Sequence, residues 1–223
     1  MTPVLAIPTL GRPHLADCLA SIDIPVRLLV VGNGPVDHDS LPEDAWLVDL
    51  PHNLGVAASW NLAIKCFPQE PYWLISNDDV AFAPGDLARL CGEMERYGWV
   101  GIRDWRAFAL AAETVERVGF FDENHHPIYC EDPDYERRCD LAGVPWGFIE
   151  GDTTHAGSAC LREHRRDNER TYPANVAYHL AKWGVQQVRQ PGGFRTPFDR
   201  GGQVSDWALD LSRLRDQSWP DDR

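Results

Sequence analysis

The chain opens with four consecutive apolar residues, Val4-Leu5-Ala6-Ile7, cut off by Pro8. A short apolar run closed by a breaker reads as a buried strand. Leu15, Cys18, Leu19 and Ile22 recur at helical spacing after Gly11-Arg12-Pro13. A second run, 26–31, ends in Gly32-Asn33-Gly34-Pro35, a strong turn signal, and a third run spans 46–50. From Asn53, an N-cap by residue type, Val56, Trp60, Ala63, Ile64 and Phe67 mark one apolar helix face. Residues 72–76 form a fourth strand running into Asn77-Asp78-Asp79. After Pro84 a helix buries Leu87, Leu90, Cys91, Met94 and Tyr97.

The second half is less regular. A strand near 108–111 leads to a short helix and then to Gly119-Phe120-Phe121-Asp122-Glu123. Glu131-Asp132-Pro133 starts a helix running to about Ala142, and a strand follows over 146–149. Thr154-His155-Ala156-Gly157-Ser158 comes next, then a helix whose buried face is expected at Tyr172, Val176, Leu180 and Trp183. After a glycine-rich stretch, Val204, Trp207, Ala208, Leu211 and Leu214 make a last amphipathic helix, expected to dock on the domain. Alternating strands and helices predict an α/β protein with a mostly parallel sheet flanked by helices. In such sheets ligands sit beyond the carboxyl ends of the strands. Pro8-Thr9, Gly32-Asn33, His52-Asn53 and Asn77-Asp78-Asp79 all fall at those ends.

Composition narrows the partners. The 34 acidic against 21 basic residues give a formal charge of −13, which disfavours nucleic-acid and anionic-membrane binding. No apolar run approaches the ~18 residues of a membrane span, and no basic region precedes the first apolar stretch. The six cysteines are scattered without a C-x-x-C, as expected of reduced thiols in a cytoplasmic protein. At 223 residues the chain is long enough to build a core without disulfides or metal.

Three groups carry candidate chemistry. Asp78 and Asp79 repel each other unless a cation or a donor-rich ligand lies between them, although Asn and Asp are also common turn residues. Asp132 before Pro133 reads as a helix N-cap; a helix start lowers a carboxylate's pKa, so Asp132 is expected to be ionised at neutral pH and able to accept a proton. His155 suits a hard divalent cation together with carboxylates, though a lone histidine is more often structural. His125-His126 reads as loop near substrate. There is no G-x-G-x-x-G after the first strand, no Walker A sequence and no G-x-S-x-G, so dinucleotide dehydrogenases, P-loop enzymes and the common serine hydrolases are disfavoured.

Ile7-Pro8-Thr9-Leu10-Gly11-Arg12, Val31-Gly32-Asn33-Gly34 and the 53–61 segment together resemble the nucleotide-sugar half of family 2 glycosyltransferases. Asn77-Asp78-Asp79 resembles the family's D-x-D element, with Asn77 in place of the usual first aspartate. Val118-Gly119-Phe120-Phe121-Asp122-Glu123 and the 129–135 segment resemble its acceptor-side motif, with Cys130 an unusual residue before Glu131. Thr154-His155 resembles its late histidine, and Ala181-Lys182-Trp183-Gly184 with Pro197-Phe198 is similar to the C-terminal arm of a small bacterial and phage-type subgroup. The resemblance implies a GT-A fold, a Rossmann-like mixed sheet with a C-terminal helical arm. The catalytic domain would cover 1–160, its nucleotide-sugar half about 1–100 and its acceptor half about 101–160, with 161–223 packed on it.

It also implies roles. Pro8, Thr9, Arg12 and Asn33 would line base and ribose, and Asn53, Gly55 and Asn61 would support the nucleotide loop. Asn77 and Asp78 would meet the ribose or donor sugar. Asp79 and His155 would hold a divalent metal, Mn or Mg, on the diphosphate. Asp132 would be the general base, with Glu131 orienting the acceptor. The expected activity is metal-dependent, inverting transfer of a hexosyl group from a nucleotide-diphosphate sugar, UDP-sugars favoured, to an acceptor hydroxyl. A non-catalytic nucleotide-binding module and a sugar-nucleotidyltransferase stand as alternatives.

Overall fold

A computed structural model describes residues 2–11, 13–155 and 165–184. Its elements are β1 (Val4–Thr9), α1 (His14–Ala20), β2 (Arg27–Gly32), β3 (Trp46–Asp49), α2 (Val56–Cys66), β4 (Tyr72–Ser76), β5 (Val80–Ala81), α3 (Asp86–Glu93), β6 (Trp99–Ile102), β7 (Ala107–Ala111), α4 (Ala112–Val118), α5 (Glu131–Ala142), β8 (Trp146–Ile149), β9 (Thr154–His155) and α6 (Arg165–Trp183). Seven strands form one sheet in the order β3-β2-β1-β4-β7-β6-β8. Pairing is parallel throughout except around β7, which runs antiparallel to both β4 and β6. β5 and β9 make a separate antiparallel pair.

The alternation of side chains along β1 sorts the core into two layers. Val4 and Ala6 pack with Leu29, Val31 and Ile75 against α2, α4 and α5 through Trp60, Val115 and Tyr135. Leu5 and Ile7 pack with Leu28, Val30 and Leu74 against α1 and α3 through Leu15, Cys18, Leu87 and Leu90. Both faces of the sheet are therefore covered, which is why its central strands read as continuous apolar runs. Among the described residues no helix is long and apolar enough to cross a membrane.

Four local expectations are corrected. α2 begins at Val56 rather than at an Asn53 cap; Gly55 precedes it at φ 86°, and Asn53 instead accepts a hydrogen bond from the Gly55 amide at 2.8 Å. α5 begins at Glu131, so Asp132 and Pro133 lie within its first turn and Cys130, at φ 78°, occupies the cap position. β6 has no counterpart in the sequence reading: Tyr97, expected on the helix ending α3, lies in the connection to it, and Trp99 starts the strand. The fourth concerns α6, whose buried face is Asn175, His179, Lys182 and Trp183, while Tyr172 and Leu180 point outward. The amphipathic segment 204–214, the Pro197-Phe198 pair and Arg12 lie outside the described residues.

Candidate active site

The register of β1 against β2 pairs Thr9 with Gly32, and β1 pairs with β4 on its other side, so the strand ends converge at one rim. There Thr9 Oγ1 donates to Asp78 Oδ2 at 2.6 Å, tying the end of β1 to the turn after β4. Asn33 is used at both ends of its amide: Nδ2 donates to Ser59 Oγ at 2.8 Å and Oδ1 accepts from the Leu54 amide at 3.0 Å. It thereby pins the 53–55 loop to the sheet. Gly55 is required there, because a Cβ would meet Pro127 O at 2.7 Å and the left-handed φ disfavours any other residue. The same Pro127 carbonyl accepts from Val56 N at 2.7 Å, joining the two halves of the domain across the cleft.

Asp79 and His155 meet through the β5–β9 pair, which sets Val80 opposite His155. His155 Nε2 lies 3.0 Å from Asp79 Oδ2. Beneath them, burial and then the negative field of Asp78 and Asp79 push the Cys18 thiol up to about 12. The first turn of α5 presents Glu131 and Asp132 to the same lining. Burial, then Glu136 and Asp104, raise Asp132 to about 7 against the pull of its own backbone N–H. Burial and then Asp132 hold Glu131 well above the usual carboxylate range, and Glu131 Oε2 is buried without a hydrogen-bond partner. The expected lowering by the helix start is thus overturned for Asp132. Its turn is desolvated and carries several carboxylates, and these outweigh the helix dipole.

A single cleft of about 740 Å³ joins the two groups. Its lining includes Pro8, Thr9, Asn33, Asn53, Gly55, Asn77, Asp78, Asp79, Glu131, Asp132 and His155. Asn61 does not line it. Its amide instead braces the 121–123 segment, donating to Phe121 O and Glu123 Oε1 and accepting from Phe121 N. Twelve further lining residues escaped the role assignments, among them Trp60, Asp104, Trp105, Arg106, His126, Tyr129, Arg170 and Thr171. Of those named, Trp60 carried a signal on a helix face, His126 in a loop read as near substrate and Tyr129 in the segment that resembles the acceptor-side motif. Asp104 to Arg106 form the short turn between β6 and β7, and that turn is invisible once β6 is missed.

Two donor clusters could hold a cation. Asp79 Oδ2 and His155 Nε2 stand 3.0 Å apart, the separation of adjacent corners of an octahedron with bonds of about 2.1 Å. Carboxylate and imidazole suit Mg²⁺ or Mn²⁺ completed by phosphate oxygens, so these residues fit the expected group. The second cluster, His125, Asp134 and His179, has ligand atoms within 4.8 Å of one another. Asp134 is already occupied there: Oδ2 accepts from Arg138, and Oδ1 from Trp183 and Lys182. Both Asp134 oxygens are thus engaged by cationic or N–H partners, and His125 faces α6 rather than the cleft.

No protein-family model matches the chain. A curated relative, a galactofuranosyl glycosyltransferase of Leishmania donovani, is 32% identical over an alignment of 131 residues that covers 48% of this chain and 30% of the relative. The chain therefore spans less than a third of that relative's length. Among solved structures, TarS 1-349 of S. aureus superposes with a TM-score of 0.51 at 12% identity, covering 70% of this chain and 59% of that one. Its complex with UDP-GlcNAc gives 0.50 at 13% identity, over 71% and 61%. The fold is GT-A.

Proposed function

We propose that this chain transfers a sugar from a nucleotide-diphosphate donor to an acceptor hydroxyl. The observation that carries this reading is the single cleft whose lining holds Asp79 and His155 together with Glu131 and Asp132. The relative's name and the UDP-GlcNAc complex of a protein of the same fold support it. In this reading Pro8, Thr9, Asn33 and Asn53 bind base and ribose, and Asp78, oriented by Thr9, meets the ribose or donor sugar. A divalent cation held by Asp79 and His155 would supply charge neutralisation at the diphosphate. Asp132 takes the proton of the acceptor hydroxyl as that oxygen bonds to the anomeric carbon. The bond from that carbon to the diphosphate breaks, and its electron pair leaves with the nucleoside diphosphate. One displacement inverts the anomeric centre.

The test is nucleoside-diphosphate release from a panel of nucleotide sugars, with and without Mn²⁺, followed by product stereochemistry. Asp132→Asn should lower turnover about 10²–10⁴-fold, the usual contribution of a general base. Asp79→Ala should raise the metal concentration needed for half-maximal rate. Donor binding with no turnover on any acceptor overturns catalysis in favour of a binding module; pyrophosphate release from a nucleoside triphosphate overturns it in favour of nucleotidyl transfer.

A further inference from the structure

We infer that Asp86, which does not line the cleft, is the positioning residue that sets how firmly Asp79 and His155 hold a cation. This rests on the assignment of those two residues to a divalent ion made above and adds what controls it. His155 is carried by β9, a strand of two residues whose one neighbour among the described strands is β5. Val80 pairs with His155 and Ala81 with Thr154. So short a ladder cannot fix a strand alone, since even a longer isolated pair is marginal in water. Something else must hold the chain entering β9 if His155 Nε2 is to stay 3.0 Å from Asp79 Oδ2.

Asp86, the first residue of α3 and 4% exposed, supplies that hold. Its Oδ2 accepts three hydrogen bonds from the segment before β9: from Thr153 Oγ1 at 2.6 Å, Thr153 N at 3.0 Å and Asp152 N at 3.1 Å. Thr153 Oγ1 in turn accepts from Ala83 N at 3.3 Å. Gly151 lets the segment come this close, because a Cβ there would meet Asp86 Oδ2 at 2.7 Å. The second carboxyl oxygen of Asp86 remains for Arg89, whose Nη1 donates to it at 3.2 Å. Without Asp86, two buried or half-buried amides and a hydroxyl lose their acceptor together, which costs far more than one exposed bond.

The other side of this joint is itself fixed. Phe82 N donates to Ser21 Oγ at 2.9 Å and Gly85 N to Asp23 Oδ2 at 2.6 Å, so the link from β5 to α3 is pinned to the residues just after α1. Asp79 immediately precedes β5, and Asp86 immediately follows that link. One anchored stretch of chain therefore carries the carboxylate ligand at one end and, at the other, the residue that ties down the strand bearing the histidine. Ligands oriented in this way hold their separation before an ion arrives, which strengthens binding.

The experiment measures Mn²⁺ affinity on the full chain with UDP present, from the electron paramagnetic resonance signal of the free ion. Asp86→Ala should weaken it about 10–100-fold, the usual cost of losing a residue that orients a ligand. UDP binding in the presence of a chelator should not change, because Asp86 does not line the cleft. Asp86→Asn, which keeps one oxygen for the 152–153 segment, should restore most of the affinity. In a His155→Ala background Asp86→Ala should cost little more, since its route to the ion is gone. Thr153→Val removes the hydroxyl that Asp86 binds at 2.6 Å and should act in the same direction, so it carries the test if Asp86→Ala does not fold. An Mn²⁺ affinity that stays put in the folded variant, or falls by the same factor without His155, overturns the inference and leaves the ion with Asp79 and His155. A parallel loss of chelated UDP binding overturns it too, because the effect is then a general weakening of the fold. A wild type that binds no Mn²⁺ overturns the cation assignment and this inference with it.

Discussion

Asp132 sits where stability and chemistry pull apart. Its unfolded-state carboxyl titrates near the ordinary 3.8, but burial and its acidic neighbours lift the folded value to about 7. Between those values the folded chain holds a proton that the unfolded chain has lost, so folding becomes less favourable as pH rises from about 4 to about 7. Glu131, raised well above its ordinary value by burial and by Asp132, acts in the same direction. As the base of the proposed transfer, however, Asp132 would have to be ionised, so turnover should climb with pH through about 7 and then level off. Asp132→Asn removes the buried charge. We expect it to melt higher than the wild type at pH 8, by about 2–4 °C per kcal/mol regained, while losing most transferase activity. A calorimetric scan beside a rate measurement checks both halves. An unchanged or lower melting temperature at pH 8 would show that the site does not store this charge.

Helix α6 shows what a sequence pattern hides. Spacing of Tyr172, Val176, Leu180 and Trp183 promised an apolar face, yet α6 docks through polar groups. Lys182 Nζ donates to Asp122 Oδ2 at 2.7 Å and to Asp134 Oδ1 at 2.5 Å. Tyr178 donates to Asp122 at 2.7 Å, Trp183 to Asp134 at 2.7 Å, and Asn175 to the carbonyls of Ile128 and Tyr129. Periodicity ranks residues by apolar character, so it cannot see a face whose partners are carboxylates far along the chain. β6 escaped for another reason: the helical spacing of Leu87, Leu90, Cys91, Met94 and Tyr97 reaches to within two residues of Trp99 and masks the strand that follows. The long central strands and the turns at their ends were legible because burial on both faces leaves an unbroken apolar run.

This polar docking has consequences for stability. Lys182→Met strands two buried carboxylates, and the loss should be about 3 kcal/mol by urea denaturation, in line with removing one partner of a buried pair. Acid should loosen the same joint early. His179 is buried as the neutral imidazole, with burial the main cause of a fall from 6.5 to about 4. His125 is lowered in the same direction by burial, against the opposing pull of Asp134 and Asp122. Stability from a depressed group is complete above the unfolded value and is lost as pH falls toward the folded one. Amide exchange in α6 should therefore accelerate below about pH 6.5. By contrast Asp122 and Asp134, both held low by Lys182 and its neighbours against burial, yield only at lower pH. Exchange in α6 that stays flat to pH 4 would assign the joint to the carboxylates alone.

At the scale of the whole molecule, the fold draws residues from Pro8 to Thr171 to one rim. A net −13 opposes any anionic ligand approaching from solution. A nucleotide-diphosphate sugar without metal carries negative charge; paired with a divalent cation it is close to neutral. The two forms should respond differently to salt. At low ionic strength the Debye length is about 30 Å, long enough for the protein's field to repel the metal-free donor, and at 0.1 M it shrinks to about 10 Å. Association of UDP-sugar in the presence of a chelator should therefore speed up as salt rises from about 0.01 to 0.1 M. With saturating Mn²⁺ the same titration should be nearly flat. Stopped-flow association under the two conditions reads this directly. A rate that falls with salt in the chelated sample would mean that local cations such as Arg170 dominate over the acidic surface. Equal salt dependence with and without Mn²⁺ would instead argue that the ion does not travel with the donor into the Asp79–His155 end of the cleft.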